Sequence, residues 1–314
     1  MLACSGFIHN RKENIMRFHP IILLLLATLL WGGNFVIGRA VSDQIAPFSL
    51  AFLRWCTAFI IFFPIAYPHV KKHWRALWQY RFIVLLMAFT GVAAFNTLVY
   101  IGLHYTTSIN ASLMNSSTPI MIYILSFLLL REKLSLQQLI GTLLSLSGVA
   151  FIIAKGQFAS LLSFQFNKGD MIVLVAVMCW SLYSLLVKKY ATVLHGQATF
   201  LVTIALGILM LLPFFIYEVV TRPDAIIWNM GTISAIGYVG VFASIVAFLS
   251  WNTGVIKIGA NRAGIFLNFI PVFASIFAVI FLNEQLALYQ LLGGFAVILG
   301  VLLCNYQRKD QRSA

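Results

Sequence analysis

Polar side chains inside apolar segments carry the chemistry of this sequence. Six asparagines fall in such segments: Asn34, Asn96, Asn110, Asn115, Asn252 and Asn268. An asparagine offers donors and an acceptor without net charge, which suits a neutral or zwitterionic solute. Each one alone is better explained by a hydrogen bond between helices, worth about 0.6 kcal/mol in a bilayer; the set favours a polar cavity. Trp31, Tyr100, Trp180, Tyr183 and Trp251 add aromatic area, with Trp31 and Trp180 far from any helix end. The cavity candidates are therefore Trp31, Asn34, Asn96, Asn115, Trp180, Tyr183, Trp251 and Asn268. Arg54 is the one strong charge well inside an apolar segment. It sits roughly 10 Å deep by helical rise. It can snorkel outward, pair with a carboxylate such as Glu284, or meet a substrate carboxylate; the structural pair is the leading reading.

Reaction chemistry is missing. The eight acids all fall at or near segment ends and loops, so no buried carboxylate relay for protons is visible. Glu132 and Glu284 stand in the short connections after the fourth and ninth segments, as gates, partners for Arg or ordinary caps. No GxxxxGK[ST] loop, G-x-S-x-G elbow or HExxH pair occurs. Cys4, Cys56, Cys179 and Cys304 are scattered, without a metal-binding spacing. No catalytic activity, metal or cofactor is expected.

The elements that hold these residues follow from composition. Of 314 residues, 61% are hydrophobic and 9% charged; a soluble domain carries about 25% charged residues. A polytopic membrane protein remains. A spanning helix needs about 20 apolar residues. Ten segments answer, at 19–40, 47–67, 81–103, 106–130, 134–154, 169–189, 197–218, 231–256, 260–282 and 286–306. The basic residues before Ile21–Leu30 resemble a signal peptide, but no A-x-A site follows, so an uncleaved first helix is expected. With the N-terminus inside, sixteen Lys and Arg fall on the cytoplasmic side and four outside: Arg39, Lys155, Lys168 and Arg222. That bias places both termini in the cytoplasm. The net charge of +13 is thus a topology signal, and nucleic-acid binding is not expected.

The chain repeats itself. Gly102, Ala111, Pro119, Glu132, Leu139, Gly141 and Gly148 recur 152 residues later as Gly254, Ala263, Pro271, Glu284, Leu291, Gly293 and Gly300. Earlier in each half the spacing is 149, pairing Trp31 with Trp180 and Pro64 with Pro213. Five segments repeated must enter the membrane from opposite sides, an inverted-topology repeat suited to alternating access. The expected fold is all-α: ten transmembrane helices as two inverted five-helix repeats around a central cavity. Residues 1–18 read as a cytoplasmic extension, 19–155 and 169–306 as the repeats, and 307–314 as a cytoplasmic tail. Pro119 and Pro271 remove helical hydrogen bonds inside their spans; their kinks shape the cavity or serve packing alone, and both readings stand. Gly32, Gly33, Gly141, Gly148, Gly293, Gly294 and Gly300 allow close helix approach.

Several stretches together resemble one family. They are Trp31-Gly32-Gly33-Asn34-Phe35, Leu53-Arg54, Pro119…Arg131-Glu132-Lys133-Leu134-Ser135…Gly141 and Pro271…Asn283-Glu284-Gln285-Leu286…Gly293. In order and duplication they resemble the EamA family of the drug/metabolite transporter superfamily over about residues 17–307. The resemblance implies a ten-helix bundle in the inner membrane that exports small metabolites, often amino acids, by alternating access. A channel-like facilitator and a non-transporting scaffold subunit are the alternatives. The expected partners are a small-molecule substrate and the bilayer, with no obligatory protein partner evident. The second copy departs from the first: Trp180-Ser181-Leu182-Tyr183 replaces Trp31-Gly32-Gly33-Asn34, and Thr203 stands at the position of Arg54.

Overall fold

A computed structural model describes residues 19–105, 111, 114–132, 135–154, 156–157, 167–222, 224–282 and 288–305. Glu284, Asn110 and both terminal segments lie outside the described residues. The first repeat region holds α1 (Pro20–Ala40), α2 (Pro47–Gln79), α3 (Arg81–Met87), α4 (Phe95–Tyr105), α5 (Thr118–Leu130) and α6 (Leu136–Ile153). The second holds α7 (Lys168–Lys189), α8 (Gly196–Thr221), α9 (Met230–Tyr238), α10 (Ala247–Ile258), α11 (Ala260–Gly264), α12 (Phe269–Leu282) and α13 (Leu288–Asn305). Among the described residues, six helical stretches are long and apolar enough to cross a membrane: Pro20–Gly38, Pro47–Gln79, Arg81–Gly102, Lys168–Lys189, Gly196–Thr221 and Met230–Ile258. Thr118–Leu130, Leu136–Ile152 and Leu291–Asn305 are apolar but shorter.

Local signals explain several boundaries. Ser135 and Gln138 form the reciprocal capping box that their spacing predicts, and Asn167 and Asp170 form a second one that opens α7. One boundary differs from expectation. The apolar run suggests that α2 stops near residue 67, yet it continues to Gln79, with Pro64 and Pro68 inside and a bend at His73 (φ −108°, ψ 15°). The basic stretch Lys71–Arg75 is therefore helical extension rather than loop.

Both third segments are interrupted at matching places. A π-helical stretch, Ala88–Ala94, joins α3 to α4, and another, Val239–Val246, joins α9 to α10. The fourth and ninth segments are broken too. Pro119 lies in the first turn of α5, and Pro271 is the third residue of α12, after a 3-10 stretch Ile265–Asn268. Both prolines thus help begin a helix after a break, where a missing N–H costs nothing, instead of kinking a continuous one.

The packing of the halves is interchangeable. α4 meets α7 as α10 meets α1; α5 meets α7 as α12 meets α1; the first π stretch meets α8 as the second meets α2. Close approaches correspond as well: Gly102 faces Val173, and Gly254 faces Leu24. The two remaining pairs join equivalent helices to each other. On α6 and α13, Gly141 lies against Gly300 and Gly148 against Gly293, so these equivalent helices run antiparallel. On α2 and α8, Phe48 stacks on Phe214 and Phe62 packs on Phe200, again antiparallel.

The interior holds Trp55, Trp180, Trp251, Arg54 and Tyr183 fully buried, while Ile60, Phe127, Leu128, Val220 and Leu302 face outward. An apolar exterior over an interior that also holds polar side chains suits a bilayer solvent. The N-terminus of α2 shows how the halves hold each other. Ala46 cannot cap it. Instead the Glu218 carboxylate, from the last turn of α8, accepts from Ser49 N (2.7 Å), Ser49 Oγ (2.9 Å) and Phe48 N (3.4 Å). A carboxylate at a helix N-terminus also meets the positive end of the dipole. Glu218→Ala is expected to cost about 2 kcal/mol, read as a lower melting temperature in detergent. A wild-type melting curve would show that the cap contributes nothing.

Candidate functional site

Spacing on two helices builds one wall of a narrow cavity. Trp31, Asn34, Phe35 and Gly38 share a face of α1, as do Asn96, Val99 and Tyr100 on α4, because residues three and four apart are neighbours on a helix. With Phe95, Asn115, Trp180, Leu267 and Ile270 they enclose about 560 Å³ of space not filled by protein, part of it open to the surroundings. Asn115 and Leu267 come from the two helix breaks. Irregular backbone at such a depth is tolerated where it lines a cavity. Beside Gly38 and Tyr100 the space meets a groove with Ser42, Asp43 and Pro47, at the end of the bundle where α1 terminates.

Five of the eight predicted cavity residues line this space: Trp31, Asn34, Asn96, Asn115 and Trp180. The other three do not. Tyr183 lines a second cavity of about 360 Å³ with Met87, Leu194, Thr203 and Asn252, open in part to the surroundings. Trp251 is wholly buried and donates to Ser184 Oγ (3.2 Å). Asn268 donates to Ser145 Oγ (3.0 Å) on α6, joining helices instead of facing solute.

An aromatic layer separates the two cavities. Trp180 packs on Trp31 (5.2 Å between centroids), Phe95 (4.8 Å), Tyr183 (5.3 Å), Phe248 (5.2 Å) and Trp251 (5.8 Å). The Trp31 indole donates to Ala243 O (3.0 Å) in the second π stretch. The second cavity lies toward the junction of α7 and α8, at the end where α1 begins, since Gly254 meets Leu24 and Lys188 donates to Ile256 O. The two cavities use the same chemistry with positions exchanged. Asn34 and Tyr100 in the first correspond to Tyr183 and Asn252 in the second. In the second, Asn252 Nδ2 donates to Tyr183 OH (2.8 Å). In the first, Asn34 Oδ1 is buried without a partner, and Tyr100 OH accepts from Arg54.

Arg54 departs from the expected ion pair. It is fully buried, and its Nε donates to Ser244 Oγ (2.8 Å) while Nη1 donates to Asn96 Oδ1 (2.9 Å) and Tyr100 OH (2.9 Å). Its guanidinium also lies over the Trp55 ring at 5.2 Å. None of these groups is a carboxylate, and Glu284 lies outside the described residues. A buried charge costs several kcal/mol unless compensated, so neutral acceptors leave this one expensive. Nη2 is buried with no hydrogen-bond partner. Ser244 is the partner that sequence reasoning missed. Its π-helical setting lets it donate to Val239 O (2.7 Å) while accepting from Arg54.

Glu132 takes the role of a link. Its Oε2 accepts from Ser126 Oγ (3.0 Å) and from Asn261 Nδ2 (3.0 Å), tying the end of α5 to α11 in the other half. Arg131, just before it, ends α5 in the left-handed region (φ 56°). A histidine stack was also not anticipated: His195, at the start of α8, lies parallel to His69 (4.8 Å) and His73 (4.5 Å). The i, i+4 spacing of His69 and His73 was the available signal. Among the described residues, no group of three His, Cys, Asp or Glu side chains could hold a metal ion.

Comparison with known proteins adds a family. The sequence model of the EamA-like transporter family matches residues 19–154 and 167–306. The uncharacterized transporter YetK of Bacillus subtilis is 29% identical over 294 residues, covering 92% of this chain and 87% of its own. YyaM, an uncharacterized transporter of the same organism, is 27% identical, covering 92% and 97%. An uncharacterized transporter of Archaeoglobus fulgidus is 26% identical, covering 90% and 96%. A solved crystal structure shares the fold with a TM-score of 0.74 at 17% identity, over 91% of this chain and 96% of that one.

Proposed function

Since the chain belongs to the EamA-like transporter family, we propose that it is a secondary transporter exporting small metabolites, amino acids or related zwitterions foremost, by alternating access. In this reading ten spans form two inverted repeats in the cytoplasmic membrane, with both termini in the cytoplasm; the sixteen-to-four split of basic residues supports that orientation. The larger cavity then faces outward and the smaller one faces the cytoplasm. The observation that carries the reading is the pair of exchanged Asn/Tyr positions on either side of one aromatic layer. One pair is closed and its counterpart is not. Two halves with interchangeable packing can trade these shapes, which opens one side as the other shuts.

Asn34, Asn96 and Asn115 supply polar contacts; Trp31, Phe35, Phe95 and Trp180 supply apolar faces. Among the described residues no acid lines this cavity, so a bare cation finds no counter-charge there, and a zwitterion with an apolar part fits better. The same lack argues for export driven by the solute's own gradient. The substrate and the bilayer are the only partners this reading needs.

Reconstituted vesicles test it. Saturable counterflow of a labelled amino acid from a panel of the twenty, unaffected by an imposed pH gradient, is the expected result. Flux that never saturates would favour a channel-like facilitator. No flux of any solute would leave a scaffold. Obligatory proton movement, lost in Glu132→Gln, would replace the uncoupled mechanism with a coupled one.

A further inference from the structure

We infer that Arg54 and Asn96 form a carboxylate-reading unit in the wall of the larger cavity. Asn96 touches the anion, and Arg54 is the positioning residue behind it. The inference rests on that cavity being the solute's site. An arginine stays charged in proteins. Arg54 is 0% exposed, its three acceptors are neutral, and its Nη2 has no partner. Among the described residues, no acidic side chain lines the cavity. The wall therefore carries one positive charge that none of its contacts neutralises.

The amide of Asn96 passes that charge on. A guanidinium offers donors only, so the atom facing it must be Oδ1, as the 2.9 Å contact has it. Nδ2 is then turned to the other side of the amide, where it is buried and without a partner. Asn96 is itself a lining residue of the cavity. The amide dipole thus has its negative end on the guanidinium and its positive end, covered in this state, unclaimed by any protein acceptor in the wall of the cavity. A carboxylate accepting from Nδ2 makes a charge-assisted hydrogen bond and supplies the missing counter-charge. Asn34 Oδ1, across on α1, is an unpartnered acceptor of the opposite sense; it suits an ammonium group.

The unit belongs to one half only. Thr203 occupies the position equivalent to Arg54, and Phe248 the one equivalent to Asn96. Thr203 instead returns its hydroxyl to Phe200 O (2.8 Å). Carboxylate recognition is therefore expected in the larger cavity and not in the smaller.

The test compares each of the twenty common L-amino acids with the amine lacking its carboxylate. Binding to the purified protein is read by tryptophan fluorescence and by the shift in melting temperature. At least one amino acid is expected to bind ten-fold or more tightly than its amine. Asn96→Asp places a carboxylate on Arg54, so the protein should fold while losing that preference. Arg54→Lys should retain part of it, and Arg54→Leu none. Should Arg54→Leu fail to fold, Asn96→Asp still decides. A folded Asn96→Asp protein that keeps the full acid preference overturns the inference, as does a wild type that prefers no acid over its amine. The outcome is separable from the transport reading. Acid preference without flux would leave this unit standing and remove transport; equal flux of acids and amines would do the reverse.

Discussion

Trp180→Ala is expected to cost about 3–5 kcal/mol of fold stability and to turn a gated path into a leak. The ring is 1% exposed and touches five other aromatic rings. It also lines the larger cavity, while its neighbour Tyr183 lines the smaller one. Removing it leaves a void between the two that the flat rings of Trp31 and Trp251 cannot collapse to fill. Trp180→Phe keeps a ring and should recover much of the loss. Trp228→Ala serves as the control, because Trp228 is 62% exposed and exposed truncations usually stay within about 0.5 kcal/mol. Two measurements check this: the melting temperature in detergent, and passive efflux of an entrapped amino acid from proteoliposomes without a trans substrate. A Trp180→Ala protein that melts like wild type and holds its vesicles tight would show that the aromatic layer is no barrier.

The parts of this fold that are legible in the chain are those set by local pattern. Apolar runs locate most helices, Ser135 and Gln138 announce their capping box, and the recurring glycines and prolines reveal the duplication. Pattern fails where two ladders of hydrogen bonds compete. Nothing in Ala88–Ala94 or Val239–Val246 distinguishes a π turn from an α turn, because the choice depends on what packs outside. Trp31 and Arg54 engage the second π stretch through Ala243 O and Ser244 Oγ. Arg54 shows the same limit. Its depth is readable from Pro47, but Ser244 lies 190 residues away in sequence, so the chain favours an ion pair and gives no sign of the neutral network. Asn115 and Asn268 both read as polar residues near a matched proline. They are not equivalent positions: Leu267, the counterpart of Asn115, also lines the cavity, whereas Asn268, one residue further on, turns to Ser145. The extension of α2 past Pro68 escaped for a different reason: its charged face reads as loop, although charge on one side of a helix is no obstacle to the helix.

The two adjacent glycines at the start of α13 should behave oppositely. A Cβ on Gly293 would lie 2.7 Å from Gly148 O and 2.5 Å from Ile152 Cγ1. One on Gly294 would meet only Val272 Cγ1, at 3.7 Å, an ordinary contact. At Gly300 the neighbours are backbone, Gly141 O at 2.5 Å and Ser145 N at 2.6 Å. Backbone cannot swing aside as a side chain can, so α6 and α13 must separate along the seam. Gly300→Ala is therefore expected to cost about 3 kcal/mol through overpacking, and Gly293→Ala a similar amount. Gly294→Ala should fall within about 0.5 kcal/mol of wild type. The interchange of halves adds a further condition. Gly148 is the counterpart of Gly300 and meets Gly293 O at 2.5 Å, so Gly148→Ala and Gly300→Ala should lower the melting temperature equally. Among the described residues, none of α6 or α13 lines the larger cavity. Whatever protein still folds in these variants should thus bind solute with unchanged selectivity, in contrast to Asn96→Asp. If Gly294→Ala were as harmful as Gly300→Ala, or if Gly300→Ala altered the acid-to-amine preference, the seam could not be the scaffold that its close backbone approach makes it.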